Sequence, residues 1–184
     1  MSGKIQIRMF TPGDAAATVA LYRAVYGETY PVKSVYDQVE LIRQHESGDT
    51  YRLLACNDDG EAIGQIALYR SSPPNRRLYE VGQMIIRYDY RQSGVAFELF
   101  PLALTEIPAQ YGLDAIWGEA VCNHLFTQQM AVREGVIETG IEVGLMPAEA
   151  GAKAMNEQAV STERGSAVVG FLPFHERPQT IFVP

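Results

Sequence analysis

The tetrapeptide Asn57-Asp58-Asp59-Gly60 does most to limit what this chain can fold into. It separates two apolar runs, Tyr51-Arg-Leu-Leu-Ala-Cys56 and Ala62-Ile-Gly-Gln-Ile-Ala-Leu-Tyr69. An Asp-Gly step between such runs is the turn of a β-hairpin, because a tight reversal needs positive φ, which glycine adopts without steric cost. The chain therefore carries antiparallel pairing near its middle. After the loop Ser71-Ser-Pro-Pro-Asn75, the run from Leu78 to Arg87 adds a third strand-like segment.

Shorter signals place the remaining elements. Ile5-Gln-Ile-Arg-Met-Phe10 alternates apolar and polar residues, as a half-buried strand does. Thr11-Pro12-Gly13-Asp14 is a helix start with Asp14 as N-cap, and Val19, Leu21, Tyr22, Val25 and Tyr26 continue it as a helical stripe. The segment Gly27 to Pro31 breaks that helix, and a second is predicted from a Ser34 cap through Leu41 and Ile42 to Gly48. A longer helical pattern runs from Gly94 to Gly112, where Pro101 and Pro108 predict kinks or a broken second half. Ala115 to Cys122 is an almost uninterrupted apolar run, which predicts a strand buried on both faces and Cys122 in the core. Asn123 is the predicted N-cap of a helix from His124 to Glu134 that Gly135 ends. Strands at Thr139–Leu145 and Ala167–Phe174 follow, separated by a helical excursion or loop from Pro147 to Arg164.

The expected fold is α/β (a mixed α+β sheet): a mostly antiparallel twisted sheet of about seven strands flanked by about four helices. Its 184 residues suit one domain, 1–184, with an insertion at 147–165 before the last strand. Fifteen basic against 22 acidic residues give a net charge of −7, which repels phosphate backbones, so no nucleic acid is expected as partner. With two cysteines and three scattered histidines, neither a disulfide framework nor a metal site is expected. No apolar run nears the roughly 20 residues of a membrane span, and Met1-Ser-Gly-Lys-Ile lacks a signal pattern. A cytoplasmic protein without membrane contact is expected.

The chemistry concentrates in Met84-Ile-Ile-Arg-Tyr-Asp-Tyr-Arg-Gln-Ser-Gly-Val-Ala-Phe-Glu-Leu99. A strand runs into a short loop of small residues and then opens a helix. The first amides of a helix have no partner within it, and its dipole adds positive potential, so this is an anion site. Gly94 and Ala96 let an anion approach the main chain, and Arg91 adds a cation at the rim. No phosphate-binding Gly-x-x-x-x-Gly-Lys-Ser/Thr or dinucleotide-binding Gly-x-Gly-x-x-Gly motif is present, which disfavours nucleotide binding in another fold.

Arg91-Gln92-Ser93-Gly94-Val95-Ala96, set after the third strand of a hairpin-rich sheet, resembles the acyl-CoA pyrophosphate loop of the GNAT N-acetyltransferase superfamily. The resemblance extends over most of the chain in element order. It implies acyl transfer from acetyl-CoA, as co-substrate, to an amine on a small molecule or a protein. It further implies that the fourth and fifth strands splay apart, so that the main chain of Met84, Ile85 and Ile86 holds the pantetheine arm, with Asn123 also against the cofactor. There are departures from the family pattern. Gln92 stands where the family often has Gly, and Tyr88 where Pro is frequent. His124 and Ala131 stand where many members carry Asn and a catalytic Tyr, which leaves the thiolate-protonating group unassigned. A non-catalytic acyl-CoA-binding or interaction module of the same fold is the alternative.

An amine must lose its proton to attack, so a base is needed. Glu119 is the first candidate, as a carboxylate inside an apolar strand where desolvation raises its pKa. The structural alternative is a buried carboxylate satisfied by Arg or backbone donors. His124, just beyond that strand, is a second candidate as base or acid, against a capping or packing role. Glu80, at the start of the fourth strand, is a further candidate base and a substrate contact, against a solvated strand end. Tyr26 and Tyr30, flanking the first helix break, are expected to line the acceptor pocket, or in the case of Tyr26 to pack the core. The two final strands are free to pair across a homodimer.

Overall fold

The Asp59-Gly60 step closes a hairpin between β2 (Thr50–Cys56) and β3 (Ala62–Tyr69), which pair antiparallel from Thr50↔Tyr69 to Cys56↔Ala62. Gly60 has φ +80°, and the Asn57 side-chain oxygen accepts from the Asp59 and Glu61 amides, which fastens the turn. A computed structural model describes residues 4–122, 125–146 and 164–175. The predicted excursion at Pro147–Arg164, Asn123 and His124 fall outside these residues, except Arg164. Among the described residues the other elements are β1 (Gln6–Met9), α1 (Ala15–Tyr26), α2 (Gln38–Glu46), β4 (Leu78–Ile86), α3 (Val95–Tyr111), β5 (Ala115–Val121), α4 (Phe126–Arg133), β6 (Ile137–Met146) and β7 (Gly165–Pro173).

The seven strands form one sheet in the order β1-β2-β3-β4-β5-β7-β6. Every pair is antiparallel except β4 with β5, which run parallel because α3 crosses over between them. This is the mixed, mostly antiparallel sheet expected. Helix α3 packs its apolar side on β2 and β3, with Leu53, Ile63, Ile66 and Leu68 at the centre of the core. Helices α1 and α2 sit over β2 and β3 as well, on Phe10, Leu41 and Leu54 and on Leu21, Tyr22 and Ile85. No described helix is long and apolar enough to cross a membrane.

Four local expectations are corrected. Helix α3 runs unbroken from Val95 to Tyr111 through both prolines. Each interior proline costs about 3 kcal/mol, but Val95, Leu99, Phe100, Leu104 and Ile107 are buried along it at about 1.5–3 kcal/mol each, which outweighs that cost. The Thr105 hydroxyl also donates to the Pro101 carbonyl at 3.0 Å. Helix α2 is capped by Asp37, whose carboxylate accepts from the Val39 and Glu40 amides, while Ser34 lies in the 3-10 turn Lys33–Tyr36. A charged acceptor at the helix start displaces the hydroxyl from the role. Strand β5 buries only Ile116 and Ala120 fully, because the cleft described below opens along the strand from Ile116 to Val121. Cys122 is exposed rather than in the core, since it follows the end of that strand.

Asp14 departs from its predicted role in an informative way. It precedes α1 but gives the helix no side-chain cap; its carboxylate turns back to the Arg8 guanidinium at 2.6 and 2.7 Å and to the Thr11 amide at 2.8 Å. The two-pronged Arg8 contact is the main reason its pKa falls to about 2. A depressed carboxylate contributes stability that is full above its ordinary value of 3.8 and is lost as pH falls through about 2. Asp14→Asn is expected to cost about 1–3 kcal/mol at neutral pH. Urea unfolding of the two proteins at pH 7 and pH 2 checks this: the gap should close at the lower pH.

Candidate functional site

The site forms where β4 and β5 separate. Their pairing covers Leu78↔Ala115 to Val81↔Gly118 and goes no further. At the last pair the strands touch closely, since a Cβ on Gly118 would lie 2.7 Å from Val81 Cγ1. Beyond it β4 bulges against β3. Ala67 pairs with Gly82 but Gln65 pairs with Ile85, so Gln83 and Met84 together oppose Ile66. A bulge bends its strand and adds twist. Here the bend carries β4 away from β5 and opens a cavity of about 520 Å³. Met84 and Ile85 line it from β4, Trp117 and Glu119 from β5, Thr127 and Ala131 from α4, and Tyr26 and Tyr30 from the end of α1 and its following turn. Ile86 does not line it. The Ile86 residue pairs with Gly64, and its side chain presses on that glycine, where a Cβ would come within 2.8 Å of Ile86 Cδ1.

The loop Arg91–Ala96 stands at the start of α3. Gly94 holds φ +85°, a conformation that glycine adopts freely, and a Cβ there would meet nothing within 4 Å. The Ser93 hydroxyl donates to the Tyr90 carbonyl and the Ser93 amide bonds the same oxygen, which pins the loop. Among the described residues the Gln92 and Gly94 amides have no backbone partner. Arg91 is exposed, with its guanidinium 4.0 Å from the Tyr88 ring centroid. Tyr88, in the 3-10 turn Tyr88–Tyr90, thus orients the rim cation. Val95 is buried in the core and Ala96 opens the helix beside it.

The opposite flank of the cavity is acidic and aromatic. Glu119 has a raised pKa, mainly from burial and then from Glu80 and Glu142, whose carboxylate is within hydrogen-bond reach. Glu80 is not a solvated strand end: Tyr69, its partner on β3, donates a hydroxyl hydrogen bond to it. Burial and this contact hold the Tyr69 pKa well above its ordinary value. Glu80 also pairs with Trp117 across β4 and β5, and the indole donates to the Ser71 hydroxyl at 3.2 Å and stacks on Phe171. Tyr30 packs on Tyr22 at 5.0 Å and on Tyr26 at 4.9 Å, and burial pushes its pKa up to about 12. Burial also raises the Tyr26 pKa, opposed by the nearby Arg91 cation.

Tertiary structure thus gathers Met84, Ile85, Glu119, Tyr26 and Tyr30 around one cavity, with Glu80 beside Glu119. His124 and Asn123 lie outside the described residues. Sequence reasoning missed Trp117, Tyr69, Glu142 and Gln83. Alternation within β5 puts Trp117 and Glu119 on one side, a legible signal, whereas Tyr69 and Glu142 reach the site only through strand pairing.

A family model described as the acetyltransferase (GNAT) family matches residues 15–131. Among solved structures, a spermidine/spermine N-acetyltransferase from Vibrio cholerae is similar at 17% identity and TM-score 0.66, over 92% of this chain and 95% of that one. A ribosomal-protein-S5-alanine acetyltransferase from Vibrio fischeri is similar at 10% identity and TM-score 0.69, over 92% of each chain. A putative acetyltransferase from Desulfovibrio desulfuricans is similar at 14% identity and TM-score 0.64, over 92% of this chain and 99% of that one. Among curated proteins no match is found.

Proposed function

The chain belongs to the acetyltransferase (GNAT) family and is an enzyme of that family; from this premise we propose that it transfers an acyl group, acetyl in the first instance, from acyl-CoA to an amine. The observation that carries this reading is Glu119, a carboxylate of raised proton affinity lining the cavity that opens where β4 and β5 part.

The residues present fit an acyl-CoA. Arg91, Gln92, Ser93, Gly94, Val95 and Ala96 form the anion-binding turn for the pyrophosphate, supported by the open space over Gly94 and the free Gln92 and Gly94 amides. The main chain of Met84 and Ile85, beyond the end of β4–β5 pairing, would hold the pantetheine, while Ile86 stays paired with Gly64 outside the cavity. The co-substrate supplies a thioester carbonyl activated for attack. The chain's own work is on the acceptor. An amine arrives as an ammonium ion, which Glu80 and Glu119 attract and the Trp117 and Tyr30 rings flank. Glu119 then takes a proton from nitrogen, for which its raised pKa suits it better than an ordinary carboxylate. Position 131 lines the cavity as alanine and offers no acid there. No step rests on His124 or Asn123.

The same reading includes self-association. Strand β6 is a sheet edge of 10 residues that exposes Ile137, Ile141 and Val143. An apolar edge of that length is suited to pairing with a second copy. A spermidine N-acetyltransferase from Vibrio cholerae of similar fold is described as dodecameric.

Turnover tests the reading. Acetyl-CoA is incubated with the chain and, in turn, an alkyl monoamine, a polyamine and a peptide with a free α-amine, and free thiol is followed. Release with at least one acceptor is expected, strongest with a polycation given the acidic flank. Silence across the panel overturns the proposal.

A further inference from the structure

Gln83 is the sole non-glycine residue with positive φ among the described residues, at +51°. It sits in the β4 bulge, the feature that ends pairing with β5. A non-glycine residue keeps such a backbone only where its surroundings hold it there. Three hydrogen bonds do so. The Tyr22 hydroxyl, on α1, donates to Gln83 Oε1 at 2.9 Å. Gln65, on β3, donates from Nε2 to the Tyr22 hydroxyl at 2.7 Å and to the Gln83 carbonyl at 3.3 Å. Tyr22 and Gln65 are both wholly buried, so water does not compete for the contact between them.

We propose that Tyr22, Gln65 and Gln83 form a clamp that holds the β4 bulge and thereby positions the main chain of Met84 and Ile85 at the acyl-CoA cleft. The proposal rests on the acyl-transfer reading of the cavity. Tyr22 and Gln65 are positioning residues acting through Gln83. Without the bulge, β4 would continue in register with β3, and a one-residue slip turns every following side chain to the opposite face. Burial of Ile85 on the α1 side resists that slip from one end, and the clamp resists it from the other. Tyr22 thus joins the first helix, which ends at Tyr26, to the strand that lines the cavity with Met84 and Ile85.

The test is a suppressor experiment on the full chain. Tyr22→Phe keeps the ring and removes the hydroxyl. Its Kd for CoA and KM for acetyl-CoA should each rise about tenfold, the scale of effect that small displacements at a site produce. Adding Gln83→Gly supplies a residue that holds positive φ unaided. The double variant should recover most of the lost CoA affinity while its Tm stays as low as that of Tyr22→Phe alone. Recovery of binding without recovery of stability is what a merely structural role for Tyr22 would not produce. A Tyr22→Phe protein that binds CoA as the parent does, or a double variant as weak as the single, overturns the clamp alone. A parent chain that binds no CoA overturns the reading of the cavity and the clamp with it.

Discussion

Replacing Glu119 by glutamine should lower kcat/KM by about a hundredfold or more, since a positioned general base contributes roughly 10²–10⁴. Glutamine keeps the size and polarity of the side chain but cannot accept the ammonium proton. The pH profile gives an independent readout. Burial and the neighbouring Glu80 and Glu142 raise the Glu119 pKa, so the acid limb of kcat/KM should lie above the position an ordinary carboxylate would give. Activity is lost as pH falls through that raised value, and in Glu119→Gln the limb should disappear. Stability should move the other way. A carboxyl whose folded pKa exceeds its unfolded value contributes stability below the unfolded pKa, and this is lost as pH rises through the folded pKa. At neutral pH the ionised Glu119 therefore costs stability, and Glu119→Gln should raise Tm there while lowering turnover. An unchanged acid limb would remove Glu119 from the role of base.

Substitution of Gly94 is expected to have the second largest effect, on co-substrate binding. Its φ of +85° places a Cβ-bearing residue in the left-handed region, where the cost is about 1–2 kcal/mol, or roughly five- to thirtyfold in an equilibrium. Gly94→Val meets this cost and also fills the space above the turn, where nothing lies within 4 Å of a Cβ. CoA affinity should fall by at least that factor. Gly94→Asn, which tolerates left-handed backbone, should fall between valine and glycine. Calorimetric titration with CoA ranks the three. Valine and asparagine variants that bind as the parent does would show that the loop does not hold the co-substrate.

The contrast between Glu119 and its neighbours shows how far the amino-acid sequence could be read. A carboxylate in an apolar run announces itself locally, because charge is costly to bury and so stands out from its surroundings. The same holds for the hairpin at Gly60 and the left-handed glycine at the head of α3, both settled by the backbone chemistry of one residue. Tyr69, Glu80 and Glu142 carry no such mark. They become part of one acidic flank only because β3, β4, β5 and β6 lie within one sheet. Asp14 and Ser34 were misread because local capping preference yields to a stronger partner: the Arg8 guanidinium takes Asp14, and the Asp37 carboxylate takes the helix start from Ser34.

The prolines of α3 mark the same boundary. Read along the chain they predict a break, and that prediction is correct for an isolated helix. Packing on β2 and β3 overrides it, since burial energy sums over a face while a proline's cost is confined to one turn. Short-range chemistry in the 184 residues thus determined the hairpin, the left-handed glycine turn at the head of α3 and the carboxylate within the apolar fifth strand. Tertiary structure alone decided that β4 bulges at Gln83, because the bulge depends on the register between β3 and β4 and on a hydroxyl from α1. Tyr22 on α1 and Gln65 on β3, 61 and 18 residues from Gln83 in sequence, must meet it before it can be held at positive φ.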